Sequence, residues 1–230
     1  MLENRPSPGA PLTAKSASGT RLQGAPTPTG AARGDARAKF DPELIAGGDT
    51  RNVVDEFRLW TVDAIRDELD ARAAAALAAG QGQLQIAIEN WGHDFNIGSV
   101  VRTANAMGVR HVHIVGRRRW NKRGAMVTDR YLHVHHHESI ASLVGWARDF
   151  DLEVIGIDNV PGSEAMEGWA PPRSALMVFG EESQGLSDEA RLAATTIRHI
   201  TQFGSTRSIN AGAAAAVAMY HWRQFRATGS

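Results

Sequence analysis

From residue 84 onward, short apolar runs alternate with stretches whose apolar residues recur every three or four positions. Leu84–Ile88, His111–Val115, Glu153–Ile157, Ser174–Phe179 and Thr196–Ile200 read as strands. Ile97–Met107, Ile140–Phe150, Asp188–Ala194 and Asn210–Phe225 read as helices, with Gly108 just past the end of the first. Strands separated by helices predict an α/β fold: a parallel sheet with helices on both faces. In such sheets, ligands sit beyond the carboxyl ends of the strands.

The chain before residue 84 has a different texture. Residues 1 to about 48 are rich in Pro, Gly, Ala, Ser and Thr, and carry too little apolar surface to offset chain entropy; they read as a disordered tail. Within 49–81, Arg51 to Ala79 reads as helical, with Val54, Phe57, Trp60, Ala64, Ile65 and Leu69 at helical spacing. The β-branched pair Thr61-Val62 predicts a break into two helices, with Asp63 as the second N-cap. Gly80-Gln81-Gly82 is a hinge, and 82–230 forms the main domain.

Composition narrows the class. Hydrophobic residues make up 43% and charged residues 22%, as in soluble globular proteins. Cys is absent, which excludes disulfides and thiolate metal sites and fits a cytoplasmic protein. No apolar run reaches membrane-spanning length, and the first residues lack the basic-then-apolar order of a secretory signal. Net charge is zero, so any affinity for nucleic acid rests on local charge. Arg117, Arg118, Arg119, Lys122 and Arg123, interleaved with Trp120 and Asn121, supply it: phosphate neutralisation and stacking are what an RNA-facing loop needs.

Three segments place polar groups beside glycine at strand-to-helix junctions. The first is Asn96-Ile97-Gly98-Ser99-Val100-Val101-Arg102. The second is Phe179-Gly180-Glu181-Glu182-Ser183-Gln184-Gly185-Leu186-Ser187. The third is Ile200-Thr201-Gln202-Phe203-Gly204-Ser205-Thr206-Arg207-Ser208-Ile209-Asn210. Taken singly, Asn96, Ser187, Ser208 and Asn210 are N-cap candidates, and Arg102 is a solvated helix charge. In this order, the three resemble the motif set of the SpoU/TrmH branch of the SPOUT RNA methyltransferases, over roughly Leu84 to Arg226.

That resemblance implies a C-terminal trefoil knot, a homodimer, S-adenosylmethionine as cofactor, and 2′-O-methylation of tRNA or ribosomal RNA. The cofactor pocket falls on Phe179, Gly180, Ile200, Ser208 and Ile209. The reacting centre falls on Asn96, Arg102, Glu182, Ser208 and Asn210. Arg102 is implied to engage the RNA backbone and help activate the ribose hydroxyl. A guanidinium is too basic to accept a proton readily but stabilises a developing alkoxide. Thr201 stands where the family pattern has Pro, Ile209 where it has Leu, and Ala211-Gly212 where Val-Ser is frequent; Arg207 is also outside the pattern. Ile for Leu conserves volume; the Thr201, Arg207 and Ala211-Gly212 departures are the support for an alternative, a non-catalytic RNA-binding or assembly protein on the same scaffold. A generic nucleotide-binding enzyme is disfavoured, because no phosphate-binding glycine motif follows a strand.

His133-Val134-His135-His136-His137, with His111 and His113, invites a metal reading. Alternation would put His133, His135 and His137 on one strand face. Glu138 aside, no carboxylate or thiolate pattern completes a shell, and methyl transfer from a sulfonium requires no metal. A surface or dimer-facing histidine cluster is the expectation, with no metal.

Overall fold

The computed structural model describes residues 38–92 and 96–227. Seven strands form one sheet in the order β3-β2-β1-β6-β4-β7-β5, every pair parallel. They are β1 (Leu84–Asn90), β2 (His111–Gly116), β3 (His133–His137), β4 (Glu153–Ile157), β5 (Glu164–Ala165), β6 (Ala175–Phe179) and β7 (Thr196–His199). The helices are α1 (Pro42–Gly47), α2 (Val62–Ala78), α3 (Ile97–Ala106), α4 (Ile140–Asp149), α5 (Asp188–Ala193) and α6 (Ala211–Ala227).

Two apolar layers sandwich the sheet. On one face, Leu84, Ile86 and Ile88 of β1 pack with Val100 and Ala104 of α3 and with Ala218 and Trp222 of α6. On the other, Ala87 and Val178 pack with Leu143 and Ala147 of α4 and Ala190 of α5. This two-sided burial explains why β1 and β6 are buried along their whole length.

The N-terminal part departs from expectation in two ways. The tail was expected to extend to about residue 48, but α1 occupies Pro42–Gly47, capped by the Asp41 carboxylate. Phe40 bridges Trp60, and Asp49 pairs with Arg51 at 2.7 Å. These polar anchors tie residues 38–49 down with few buried apolar groups, so hydrophobic patterning does not reveal them. Residues 1–37, on which the rest of the tail expectation falls, lie outside the described residues. The first of the two expected helices is absent: before Thr61 only Asp55–Phe57 forms a short 3-10 turn, and α2 begins at Val62, capped by Thr61, whose hydroxyl accepts from the Ala64 amide at 3.2 Å. Asp63 instead pairs with Arg66 at 2.6 Å. Phe57, Ile65 and Tyr131 form a small separate core that docks α2 onto the main domain. β1 runs two residues beyond the expected Leu84–Ile88, through Asn90, and residues 93–95 lie outside the described set.

The histidines form a stacked layer within the fold and not a surface cluster. β3 pairs with β2, stacking His111, His113, His133, His135 and His137 on one face beneath Trp146 of α4. His113 is fully buried. Their ring nitrogens pair with one another: His111 Nδ1 lies 2.9 Å from His135 Nε2, and His113 Nδ1 2.9 Å from His137 Nε2. Gln85 accepts from both His113 and Trp146, and Asp70 of α2 closes the row against His133. Among the described residues no group of His, Cys, Asp or Glu is arranged to hold a metal ion.

Candidate active site

A cavity of about 520 Å³ opens beyond the carboxyl ends of β4, β6 and β7. It is bounded by the second and third sequence motifs and by Ile157, Asp158 and Asn159 at the end of β4. Phe179, Gly180, Ile200, Ser208 and Ile209, the residues expected to hold the cofactor, all line it, as do Glu182 and Asn210.

Backbone proximity shapes this cavity. A Cβ on Gly180 would fall 1.9 Å from the Gly185 carbonyl carbon and 2.2 Å from the Leu186 amide nitrogen. Position 180 therefore tolerates only glycine while the 181–186 turn folds back over the end of β6. Carboxylates pin that turn. Asp158 accepts from the Leu186 amide at 2.8 Å, Glu181 from the Gly92 amide at 2.7 Å, and the buried Glu89 from the Ser187 amide at 2.8 Å. Ser187 caps α5 as expected, through the Ala190 amide.

Asn210 is the centre of the polar arrangement. Its Oδ1 accepts from the amides of Gly212 and Ala213, capping α6. Its Nδ2 donates to Asn96 Oδ1 at 2.6 Å and to Glu182 Oε1 at 3.4 Å. One side chain thus joins all three motifs. Asn96 makes no capping bond to α3 with its side chain, so simple N-capping does not account for it.

Thr201 has a structural partner. Its amide and hydroxyl donate to the two oxygens of Glu167, at 3.1 and 2.9 Å. Burial alone would raise the Glu167 carboxyl, but hydrogen bonds from its own backbone and from Thr201 outweigh it and lower the pKa. Proline, with no N–H, could not make the first of these bonds; threonine and Glu167 fix the start of the 200–210 loop by another route. Arg207 lines the cavity and is held through its carbonyl, which accepts from Asn159 Nδ2 at 3.0 Å.

Arg102 stands apart. It is exposed on α3, borders a different hollow, and is not among the residues lining the cavity. The basic segment does lie alongside the site. Asn90 at the end of β1 donates to the carbonyls of Arg117 and Arg119, and Arg117 donates to the Gly92 carbonyl. Gly92 in turn donates to Glu181 at the cavity wall. Arg118, Lys122 and Arg123 continue that segment, and Lys122 pairs with Asp129 at 3.0 Å. Against α3, a Cβ on Gly98 would lie 2.7 Å from the Ala125 amide nitrogen, so the segment after the basic loop packs directly on the helix backbone.

Asp158, Asn159, Glu167 and Glu89 are site residues that the motifs did not mark. Asp158-Asn159 directly after a strand was the available signal, since that is where ligand-binding groups collect in parallel sheets.

Fold and site together define an α/β protein with a ligand cavity at the carboxyl end of a parallel sheet. The family model described as "SpoU rRNA Methylase family" matches residues 83–220, and the chain belongs to that family. It is 24% identical over 159 residues to the tRNA (guanosine(18)-2'-O)-methyltransferase of Escherichia coli, covering 68% of this chain and 69% of that one. It is 31% identical over 133 residues to the 23S rRNA (guanosine-2'-O-)-methyltransferase RlmB of Bordetella pertussis, covering 54% and 53%. The SpoU methyltransferase AviRb from Streptomyces viridochromogenes, in complex with AdoMet, shares the fold at a TM-score of 0.58 and 21% identity, over 65% of this chain and 62% of that one. The chain thus spans about three-fifths of AviRb.

Proposed function

We propose that this protein is an RNA 2′-O-ribose methyltransferase that moves a methyl group from S-adenosylmethionine to a ribose 2′-hydroxyl of tRNA or ribosomal RNA. The observation that carries the reading is the side chain of Asn210, which links Asn96 and Glu182 at a cavity lined by every residue expected to hold the cofactor. The relatives' substrates, tRNA and 23S rRNA, support RNA as the substrate class, and an RNA substrate accords with a cytoplasmic setting.

The residues present suit the cofactor. The volume lies in the range of small-molecule sites. Phe179, Ile200, Ile209 and Ala214 offer apolar walls for an adenine, and the 200–210 backbone offers amides and carbonyls for its edge. Glu181, Glu182 and Asp158 set negative charge near a cationic ligand, and Arg207 and Arg191 can meet its carboxylate. When bound, the sulfonium supplies an electrophilic methyl group.

The chain's own residues position the nucleophile. Asn210, fixed by Asn96 and Glu182, orients the groups facing the ribose, and Ser208 stands beside it. Arg102 stabilises the negative charge that develops on the 2′-oxygen, while the hydroxyl proton leaves to a neighbouring phosphate or to water. Arg102 does not line the cavity of its own chain, and a homodimer that presents α3 of one copy to the cavity of the other would bring it there. The basic segment Arg117 to Arg123 holds RNA phosphates beside the site. The loop 200–210 leading into α6 is the segment that would form the trefoil knot.

The test is mass spectrometry of nuclease-digested tRNA and ribosomal RNA after incubation with the protein and isotopically methyl-labelled S-adenosylmethionine. One new 2′-O-methyl nucleotide is expected. Tight RNA binding with no cofactor binding by calorimetry would instead favour the non-catalytic scaffold, the reading in which Arg102 has no cavity to serve.

A further inference from the structure

Beside the cavity stands a large aromatic side chain that the methyl transfer does not use. Trp91, directly after β1, is 40% exposed, yet its ring is held at two points. Its indole N–H donates to Glu89 Oε1 at 2.8 Å. Its six-membered ring rests on the main chain at the end of β2, where a Cβ on Gly116 would fall 2.6 Å from Trp91 Cε3 and 2.8 Å from Cζ3. Glu89 is buried, and its other oxygen accepts from the Ser187 amide at 2.8 Å. A carboxylate is costly to bury unless its oxygens are paired. Here the pairing fixes the indole relative to the second motif, which walls the cavity.

The same corner carries cations. The Asn90 carbonyl accepts from the Arg117 amide at 2.9 Å, its side chain holds the Arg117 and Arg119 carbonyls, and the Arg117 guanidinium donates to the Gly92 carbonyl at 2.9 Å. Arg117, Arg118 and Arg119 are all exposed. Gly92 also donates to Glu181 at the cavity wall. The nearby carboxylates already have partners: Glu89 has Trp91 and Ser187, and Glu181 has Gly92 and Ser183. A fixed aromatic ring ringed by guanidiniums matches an unpaired nucleobase, which stacks on the ring while its backbone meets the charge. An apolar protein surface fits poorly, because it would desolvate the guanidiniums with nothing to pair them. Because the ring is already ordered, little entropy is lost when a base lands on it. We propose that Trp91 is a stacking platform for an unpaired RNA base flanking the methylated nucleotide, with Glu89 setting the angle of the ring. The inference rests on the RNA methyltransferase reading and deepens it: the substrate presents its target in a single-stranded segment.

The experiment irradiates the full-length protein with 5-iodouridine-substituted tRNA and ribosomal RNA transcripts and maps cross-linked peptides by mass spectrometry. Filter binding then compares the RNA affinity of the wild-type, Trp91→Ala, Trp91→Leu and Trp91→Phe proteins. A cross-link at Trp91 is expected. Trp91→Ala should weaken RNA binding about tenfold, equivalent to about 1.4 kcal/mol, as for the loss of one stacked base. Trp91→Leu keeps apolar bulk without a ring and should fall as far. Trp91→Phe keeps a stacking face and should stay within about threefold of wild type. S-adenosylmethionine affinity by calorimetry should stay within about twofold in all three, since Trp91 does not line the cavity. Unchanged RNA affinity in Trp91→Ala overturns the proposal. So does a Trp91→Leu protein that binds RNA as well as Trp91→Phe, which would make residue 91 a packing group. Trp91→Ala splitting a dimer in sedimentation also overturns it, by assigning the ring to a second copy. A wild-type protein that binds no S-adenosylmethionine and methylates no RNA sinks the enzymatic reading instead, while filter binding still decides the platform.

Discussion

Two polar clusters in this molecule look alike in sequence and differ in what they leave available. Around Asn210, polar side chains meet at an open cavity and keep hydrogen-bonding capacity facing it. In the histidine layer, the ring nitrogens are turned to one another, to Gln85, to Ser142 and to Asp70, beneath Trp146 and Phe150. Desolvation, aided by neighbouring imidazoles, lowers His111 and His135 to about 4 and holds His113 and His137 below the usual histidine value. Asp70 ends the row: burial would raise it, but hydrogen bonds from His133 and Arg110 bring it down to about 2. The first cluster is organised for a ligand and the second for packing. A dense run of chemically capable residues is therefore a weaker sign of function than a few such residues that a cavity leaves uncommitted.

The sharpest way to break that contrast is Asn210→Ala. It removes the link between Asn96 and Glu182 and the cap of α6, so methyl transfer should fall about a hundredfold, or about 2.7 kcal/mol, in a radiolabelled-methyl assay. Loss of the cap should also cost about 1 kcal/mol of stability. His113→Ala should do the opposite. Gln85 and His137 each lose one of two partners inside the fold and a buried ring is replaced by a cavity, so stability should fall by about 2–3 kcal/mol in urea unfolding, while KM for cofactor and RNA stays near normal.

Glu167→Gln tests a smaller effect at the cavity. KM for S-adenosylmethionine should rise about fivefold with little change in kcat, because the 200–210 loop loses a charged acceptor and not a reacting group. The gentlest test is pH. Imidazoles with a depressed folded pKa stay neutral in the native state while the unfolded chain binds protons, so their stabilising contribution is full above about pH 6.5. It is lost as pH falls from about 6.5 towards 4. Thermal unfolding should show that acid limb, and His135→Gln should make it shallower without altering methyl transfer at pH 7.5.

Much of this fold is legible in the sequence because the sheet is parallel and buried on both faces. Continuous apolar runs such as Leu84–Ile88 and Ser174–Phe179 have few other readings in a chain punctuated by helical periodicity. What escapes that reading is held by polar anchors: residues 38–49 are fixed by Asp41 and Asp49, and β5 is two residues long with both exposed. At the site, glycine-flanked motifs marked the cavity walls, whereas Glu167 and Asp158 were silent because a single carboxylate has no pattern. Arg102 was legible as chemistry but not as position. In the proposed homodimer its place depends on how copies of the chain meet, which neither spacing nor a lone protomer's packing encodes.

The contact of Gly98 with the segment at Gly124 and Ala125 has a mechanical consequence. Where two main chains touch without side chains between them, neither can slide far before atoms collide. A strand of nucleic acid pulling on the arginine-rich stretch would therefore turn α3 with it, carrying the Arg102 guanidinium along. On the proposed function, seating the substrate and aiming the charge become one movement.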